Sequence, residues 1–124
     1  MSYLLDTNHC IYFLNAVGKE PVELTPAESN VLTMITELVA KDEQFYISEV
    51  SLGELYYGAS LSDREEEKRQ KIEDMKVISP VVELSEDVWE LFGETKAWLK
   101  KKKRRMKDLD LLIACVAKHH SDER

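Results

Sequence analysis

With 124 residues, 44% of them apolar and 33% charged, the chain has the size and balance of one globular domain, too short for two. No apolar run approaches the roughly 18 residues that a membrane span requires. The N-terminus shows no basic region or cleavage site, which argues against secretion and for the cytoplasm. A formal net charge of −7 argues at first against nucleic acid as a partner.

The chain opens on a strand at residues 2–5, where an apolar run stops on Asp6, Thr7 and Asn8. A short helix follows from about His9 to Ala16, for which Thr7 or Asn8 can cap the free amides. Gly18 to Pro26 is a loop with two prolines, and Pro26-Ala27-Glu28 starts a second helix carrying Val31, Leu32, Ile35, Leu38 and Val39 at helical spacing. Phe45-Tyr46-Ile47 is a second strand, after which Ser48 caps a helix with Leu52, Leu55 and Tyr56 on one face. A charged helix around 63–75 leads to a third strand over 77–84, broken at Pro80. Ser85-Glu86-Asp87 starts the next helix, with a cap and acids that suit its dipole and an apolar stripe through Val88, Leu91, Phe92, Thr95, Trp98 and Leu99. The last helix runs from about Asp108 to His119 and is nearly all apolar. Alternating strands and helices predict an α/β fold with a parallel sheet.

Three segments set an acidic residue into an apolar stretch, where an unpaired charge is costly: Asp6, Glu54 and Asp110. Each has a plain structural explanation as well. Asp6 can cap the first helix, Glu54 can face solvent on an amphipathic helix, and Asp110 can be an ordinary first-turn acid, with Asp108 competing for any special role. Together they point further. Asp6 lies at the carboxyl end of a strand, where open parallel sheets place their ligands. Carboxylates gathered within about 4 Å repel one another by several kcal/mol at an effective dielectric of about 20. Such a cluster implies a bound cation, and oxygen ligands alone select Mg²⁺ or Mn²⁺, metals that activate water against phosphate. No Cys/His spacing suggests zinc, and no Gly-rich phosphate loop is present.

Leu4-Leu5-Asp6-Thr7-Asn8, then Ile47-Ser48 through Gly53-Glu54-Leu55-Tyr56-Tyr57-Gly58-Ala59, then Asp110-Leu111-Leu112-Ile113-Ala114-Cys115 resemble the three signature segments of the PIN domain. The likeness is greatest to the VapC-type toxins of type II toxin–antitoxin modules, and it runs in order over nearly the whole chain. The resemblance implies a PIN-like three-layer fold over residues 1–124, with a short parallel sheet flanked by helices. It also implies an endoribonuclease dependent on Mg²⁺ or Mn²⁺, acting on RNA, tRNA included, and neutralised by an antitoxin protein. By motif, Asp6, Glu54 and Asp110 are the catalytic and metal-binding carboxylates, with Thr7 or Asn8 as the supporting polar position. A homodimer is implied as well. One feature departs from the family: the strand expected after the last helix, ending in Thr/Ser-x-Asp, has no counterpart before Arg124, and Asp122 and Glu123 follow the helix too closely to replace it. That departure leaves residues 2–5 as a sheet edge, a liability for strand exchange, and motivates the alternative of an inactive or truncated PIN-like module that acts by protein binding.

Between Lys96 and Lys107 stand eight basic residues and no acidic one. Lys103, Arg104 and Arg105 in this run are candidates for RNA phosphate contact, set against the plainer role of a solvated helix end whose cations suit the dipole. Trp89 and Trp98 are expected in the core or a dimer interface, and Tyr56 and Tyr57 in the core. His9, His119 and His120 show no sequence partner that would make them general bases. Cys10 and Cys115 read as small buried hydrophobes in a reducing compartment.

Overall fold

In the computed structural model, which describes residues 2–122, three parallel strands carry six α-helices. The chain runs β1 (Ser2–Leu5), α1 (Thr7–Ala16), a 3₁₀ turn (Pro21–Glu23), α2 (Pro26–Ala40), β2 (Gln44–Ser48) and α3 (Glu49–Leu61). It continues through α4 (Glu65–Ile78), β3 (Val81–Val82), α5 (Glu86–Lys101) and α6 (Asp108–Asp122). The sheet order is β1-β2-β3, with Leu5 opposite Ile47 and Ile47 opposite Val81. No helix among the described residues is long and apolar enough to cross a membrane.

Strand alternation produces the layers. Tyr3 and Leu5 point with Phe45 and Ile47 into one core, which α1, α2, α3 and α4 close with Cys10, Val31, Ile35, Leu55, Ile72 and Met75. Leu4 points to the opposite face, where Val88 of α5 and Leu111, Leu112, Cys115 and Val116 of α6 pack. Helices cover both faces of the sheet, so the strands read as continuous apolar runs. Cys10 and Cys115 are free thiols in these two cores, and burial, with the Asp6 carboxylate second, pushes the Cys10 thiol up to about 12.

Local sequence explains most boundaries. Thr25 and Glu28 form a capping box at α2, and Ser85 accepts the Val88 amide at α5. Glu28 is buried with Lys19 at 3.1 Å, and the Thr25 backbone amide, with Lys19, holds its carboxyl below the ordinary value. Gly18 takes φ +85°, the left-handed conformation that lets the chain turn after α1.

Three expectations need correction. The third strand does not span 77–84, because Val77 and Ile78 complete α4. The residue before a proline disfavours helix, so Pro80 ends α4 at Ser79 instead of interrupting a strand, and its carbonyl accepts from Ile47 N at 3.1 Å. Trp89 and Trp98 are not core residues, being 49% and 51% exposed, and Tyr57 is exposed while Tyr56 packs on the first core. The first helix begins at Thr7 and its cap is Asp6, not Thr7 or Asn8. Among the described residues no strand follows α6, and β1 is an edge of the sheet. Glu123 lies outside the described residues, while Asp122 ends α6.

Candidate active site

Asp6, Glu54 and Asp110 line one cavity of about 610 Å³ at the carboxyl end of the strands. Each arrives there by a different route. Asp6 is the first residue past β1, Glu54 sits on the second turn of α3 after β2, and Asp110 is on the first turn of α6. Thr7, Asn8, Tyr57 and Met106 complete much of the wall, and among the described residues no lysine, arginine, histidine or cysteine lines the cavity.

Glu54 is half-buried and its position is built in. Thr7 Oγ1 donates to Glu54 Oε1 at 2.6 Å, a short charge-assisted bond. Thr7 has one hydroxyl hydrogen and the carboxylate takes it, so the 3.0 Å contact between Thr7 Oγ1 and Ser51 Oγ uses the hydrogen of Ser51. Ser51 Oγ in turn lies 3.3 Å from Ser48 Oγ, and Ser48 caps α3 by accepting the Ser51 amide at 3.0 Å. Both serines are fully buried. A relay of three hydroxyls therefore runs from the end of β2 across α3 to the carboxylate, every hydrogen directed towards Glu54.

Asp6 does two things at once. Its Oδ1 accepts the His9 amide at 2.8 Å, capping α1, and also lies 2.7 Å from His9 Nδ1. The carboxylate has no hydrogen, so Nδ1 donates. His9, for which the sequence offered no partner, is thus the residue that orients Asp6, and Asp6 Oδ2 has no bond to another described residue. Asp110 is exposed and carries no side-chain bond among the described residues, whereas Asp108 two residues earlier pairs with Lys96 at 3.1 Å. That pair resolves the competition between the two acids: Asp108 ties α6 to α5, and Asp110 is left to the cavity.

The three carboxylates share a cavity without converging on a point. No group of three His, Cys, Asp or Glu side chains among the described residues stands close enough to hold one metal ion. Asp6 and Glu54 each bond a donor of their own, His9 and Thr7. The donor set nonetheless fits a hard divalent cation, offering carboxylate and hydroxyl oxygens, with Met106 as the one sulfur and no lysine or arginine among the described lining residues.

Ser48, Ser51 and His9 make the bonds that hold Glu54 and Asp6, a part that motif reading did not assign to them. Ser51 and Glu54 are three apart on one helix and so share a face, a signal available from spacing. Lys103, Arg104 and Arg105 lie apart from the acids, in a neighbouring cleft between α5 and α6.

Comparison with known proteins agrees with this fold. Residues 3–124 match the family model described as the PIN domain. Ribonuclease VapC2 of Rickettsia felis (strain ATCC VR-1525 / URRWXCal2) is 33% identical over 117 residues, covering 94% of this chain and 79% of that protein. The solved VapBC2 of Rickettsia felis, bound to a DNA fragment from their promoter, superposes with a TM-score of 0.73 at 30% identity, over 93% of this chain and 78% of that one. VapBC-1 of nontypeable Haemophilus influenzae does so with a TM-score of 0.72 at 27% identity, over the same shares, 93% and 78%. The chain, with its three-stranded parallel sheet flanked by helices, belongs to the PIN-domain family and within it to the VapC type.

Proposed function

We propose that the chain is a metal-dependent endoribonuclease, the toxin of a toxin–antitoxin pair, hydrolysing RNA phosphodiester bonds, and that residues 1–124 act as one domain. The observation that carries this is the cavity shared by Asp6, Glu54 and Asp110, with the hydroxyls of Thr7 and Tyr57 in its wall and no lysine or arginine among its described lining residues. The relative named Ribonuclease VapC2 supports the reaction, and the VapBC assemblies support an antitoxin partner.

Asp6, Glu54 and Asp110 would hold Mg²⁺ or Mn²⁺. A cation held there supplies positive charge to the phosphate and acidity to water. Thr7 fixes the rotamer of Glu54, and His9 fixes Asp6 by its ring and its amide. Asn8 lines the same wall and offers an amide to the substrate. RNA, tRNA among its forms, is the proposed substrate. A homodimer in the cytoplasm is the proposed state, for which the exposed Trp89 and Trp98 of α5 provide apolar surface.

Purified protein should cleave RNA, tRNA included, when Mg²⁺ or Mn²⁺ is added, and Asp6→Asn should abolish that cleavage while circular dichroism stays unchanged. Cleavage by the variant at the wild-type rate would sink the assignment. A second reading, an inactive PIN-like module acting by protein binding, draws on the separation of the carboxylates. Calorimetric titration with Mn²⁺ separates the two, because an active site must bind the ion and a decayed one does not.

A further inference from the structure

Beside the acid cavity lies a second cavity of about 820 Å³, opened between the C-terminal turn of α5 and the start of α6. Lys96, Lys100, Lys103, Arg104 and Arg105 line it, over a floor that includes Leu99 and Leu111. Met106 lines both cavities, so the basic cleft and the acid cavity share a wall. Of the five cations only Lys96 is neutralised, by Asp108, and the other four have no acidic partner among the described residues.

The backbone of this turn is as telling as its charge. Arg104 N bonds Leu99 O at 2.9 Å and Lys103 N bonds Lys100 O at 3.0 Å, the paired bonds of a Schellman ending. Its pivot is Lys103 at φ +57°, a left-handed position where glycine is the usual residue. α2 ends with the same pair of bonds, but its pivot is Asp42 at φ +59°, and aspartate tolerates this conformation far better than lysine. A lysine kept at a strained pivot, in a run of unpaired cations facing a cleft, indicates use of its charge.

We infer that this cleft is a phosphate grip for the RNA backbone, holding the strand on one side of Met106 while the scissile bond lies over the acids on the other. The inference rests on the ribonuclease reading above. Its physical motive is that a chain of net charge −7, with three carboxylates in one cavity, repels a polyanion unless cations stand within about a Debye length of 8–10 Å. Lys100, Lys103, Arg104 and Arg105 supply them, and the Lys96–Asp108 ion pair fixes the grip to the helix that carries Asp110.

The test measures binding of a fluorescently labelled mixed-sequence RNA by anisotropy, in chelator without divalent ion, so that no cleavage enters. Lys103→Gln/Arg104→Gln should weaken binding about tenfold and flatten the dependence of log affinity on log salt by about 0.7 for each phosphate no longer neutralised. Lys101→Gln/Lys102→Gln removes the same charge from residues that do not line the cleft, and should do much less. Lys103→Gly should raise the melting temperature, by relieving the left-handed pivot, and still weaken RNA binding. Equal losses in the two double variants, or a more stable Lys103→Gly with unchanged affinity, overturns the inference. So does a poly-glutamate peptide that depends on these residues while RNA does not, since that would assign the cleft to a protein partner. RNA that binds with this dependence yet is never cleaved when Mg²⁺ or Mn²⁺ is restored overturns the ribonuclease reading and leaves the grip standing.

Discussion

The acid cavity and the basic cleft share Met106 as a common wall but are built by opposite means. Glu54 is held by hydroxyls rooted in two fully buried serines, and Asp6 by a histidine and a helix cap. The cations of the cleft stand exposed on a tight turn, and those flanking Lys96 make no ion pair with a described residue. The contrast fits the tasks proposed above. Positioning a metal and a phosphorus atom requires donors placed to a fraction of an ångström, which supporting hydrogen bonds from well-packed neighbours help to maintain. Attracting a flexible polyanion requires charge density, and long solvated side chains provide it without fixed geometry.

The largest effect that would break this contrast is on the acids themselves. Glu54→Gln and Asp110→Asn, like Asp6→Asn, should reduce metal-dependent RNA cleavage to background, whereas the cleft variants should slow it mainly at low RNA concentration. If a cleft variant lowered the rate at saturating RNA as much as Glu54→Gln, the division of labour would be wrong.

A smaller effect is expected one step back. Thr7→Val keeps the shape but deletes the donor to Glu54, and should cost about 10–100-fold in metal affinity or cleavage, as removal of an outer support of a metal ligand does. Mn²⁺ calorimetry on the variant reads this directly, and unchanged affinity would demote the relay to packing. Ser48→Ala removes both the cap of α3 and the far end of the relay, and should lower stability by about 1 kcal/mol in chemical denaturation.

The smallest effect concerns the floor beneath Asp6. Cys10 is completely buried, with its thiol pushed up to about 12 by that burial and by Asp6. Maleimide should therefore leave Cys10 unmodified in the folded protein and modify it after denaturation. The raised value means that the folded state holds this proton more tightly than the unfolded chain. The stabilisation is complete below the ordinary thiol value of 9.0 and is lost as pH rises from there towards about 12. Cys10→Ala should flatten that alkaline limb of the stability curve.

Much of this was legible in the residues. Ser48 and Ser85 announced their helices, because a cap acts over three residues and needs no tertiary partner. The parallel sheet followed from apolar runs alternating with helical stripes, since strands covered on both faces write themselves into composition. The family motifs nominated Asp6, Glu54 and Asp110, and the structure sets the three along one cavity. What the sequence could not decide was anything set by a distant neighbour. Val77 and Ile78 look like strand by side chain yet finish a helix, because Pro80 and the pairing of Ile47 with its carbonyl decide where the strand begins. Trp98 fits an apolar stripe and Trp89 neighbours it in sequence, but that helix turns both outward. Only the tertiary structure joined Thr7 to Ser51 and Glu54 across more than forty residues, and set a strained lysine turn against the acid cavity. Caps, stripes and motifs are local or periodic and so reside in sequence, whereas hydrogen-bond relays and the meeting of opposite charges depend on which surfaces the packed cores bring together.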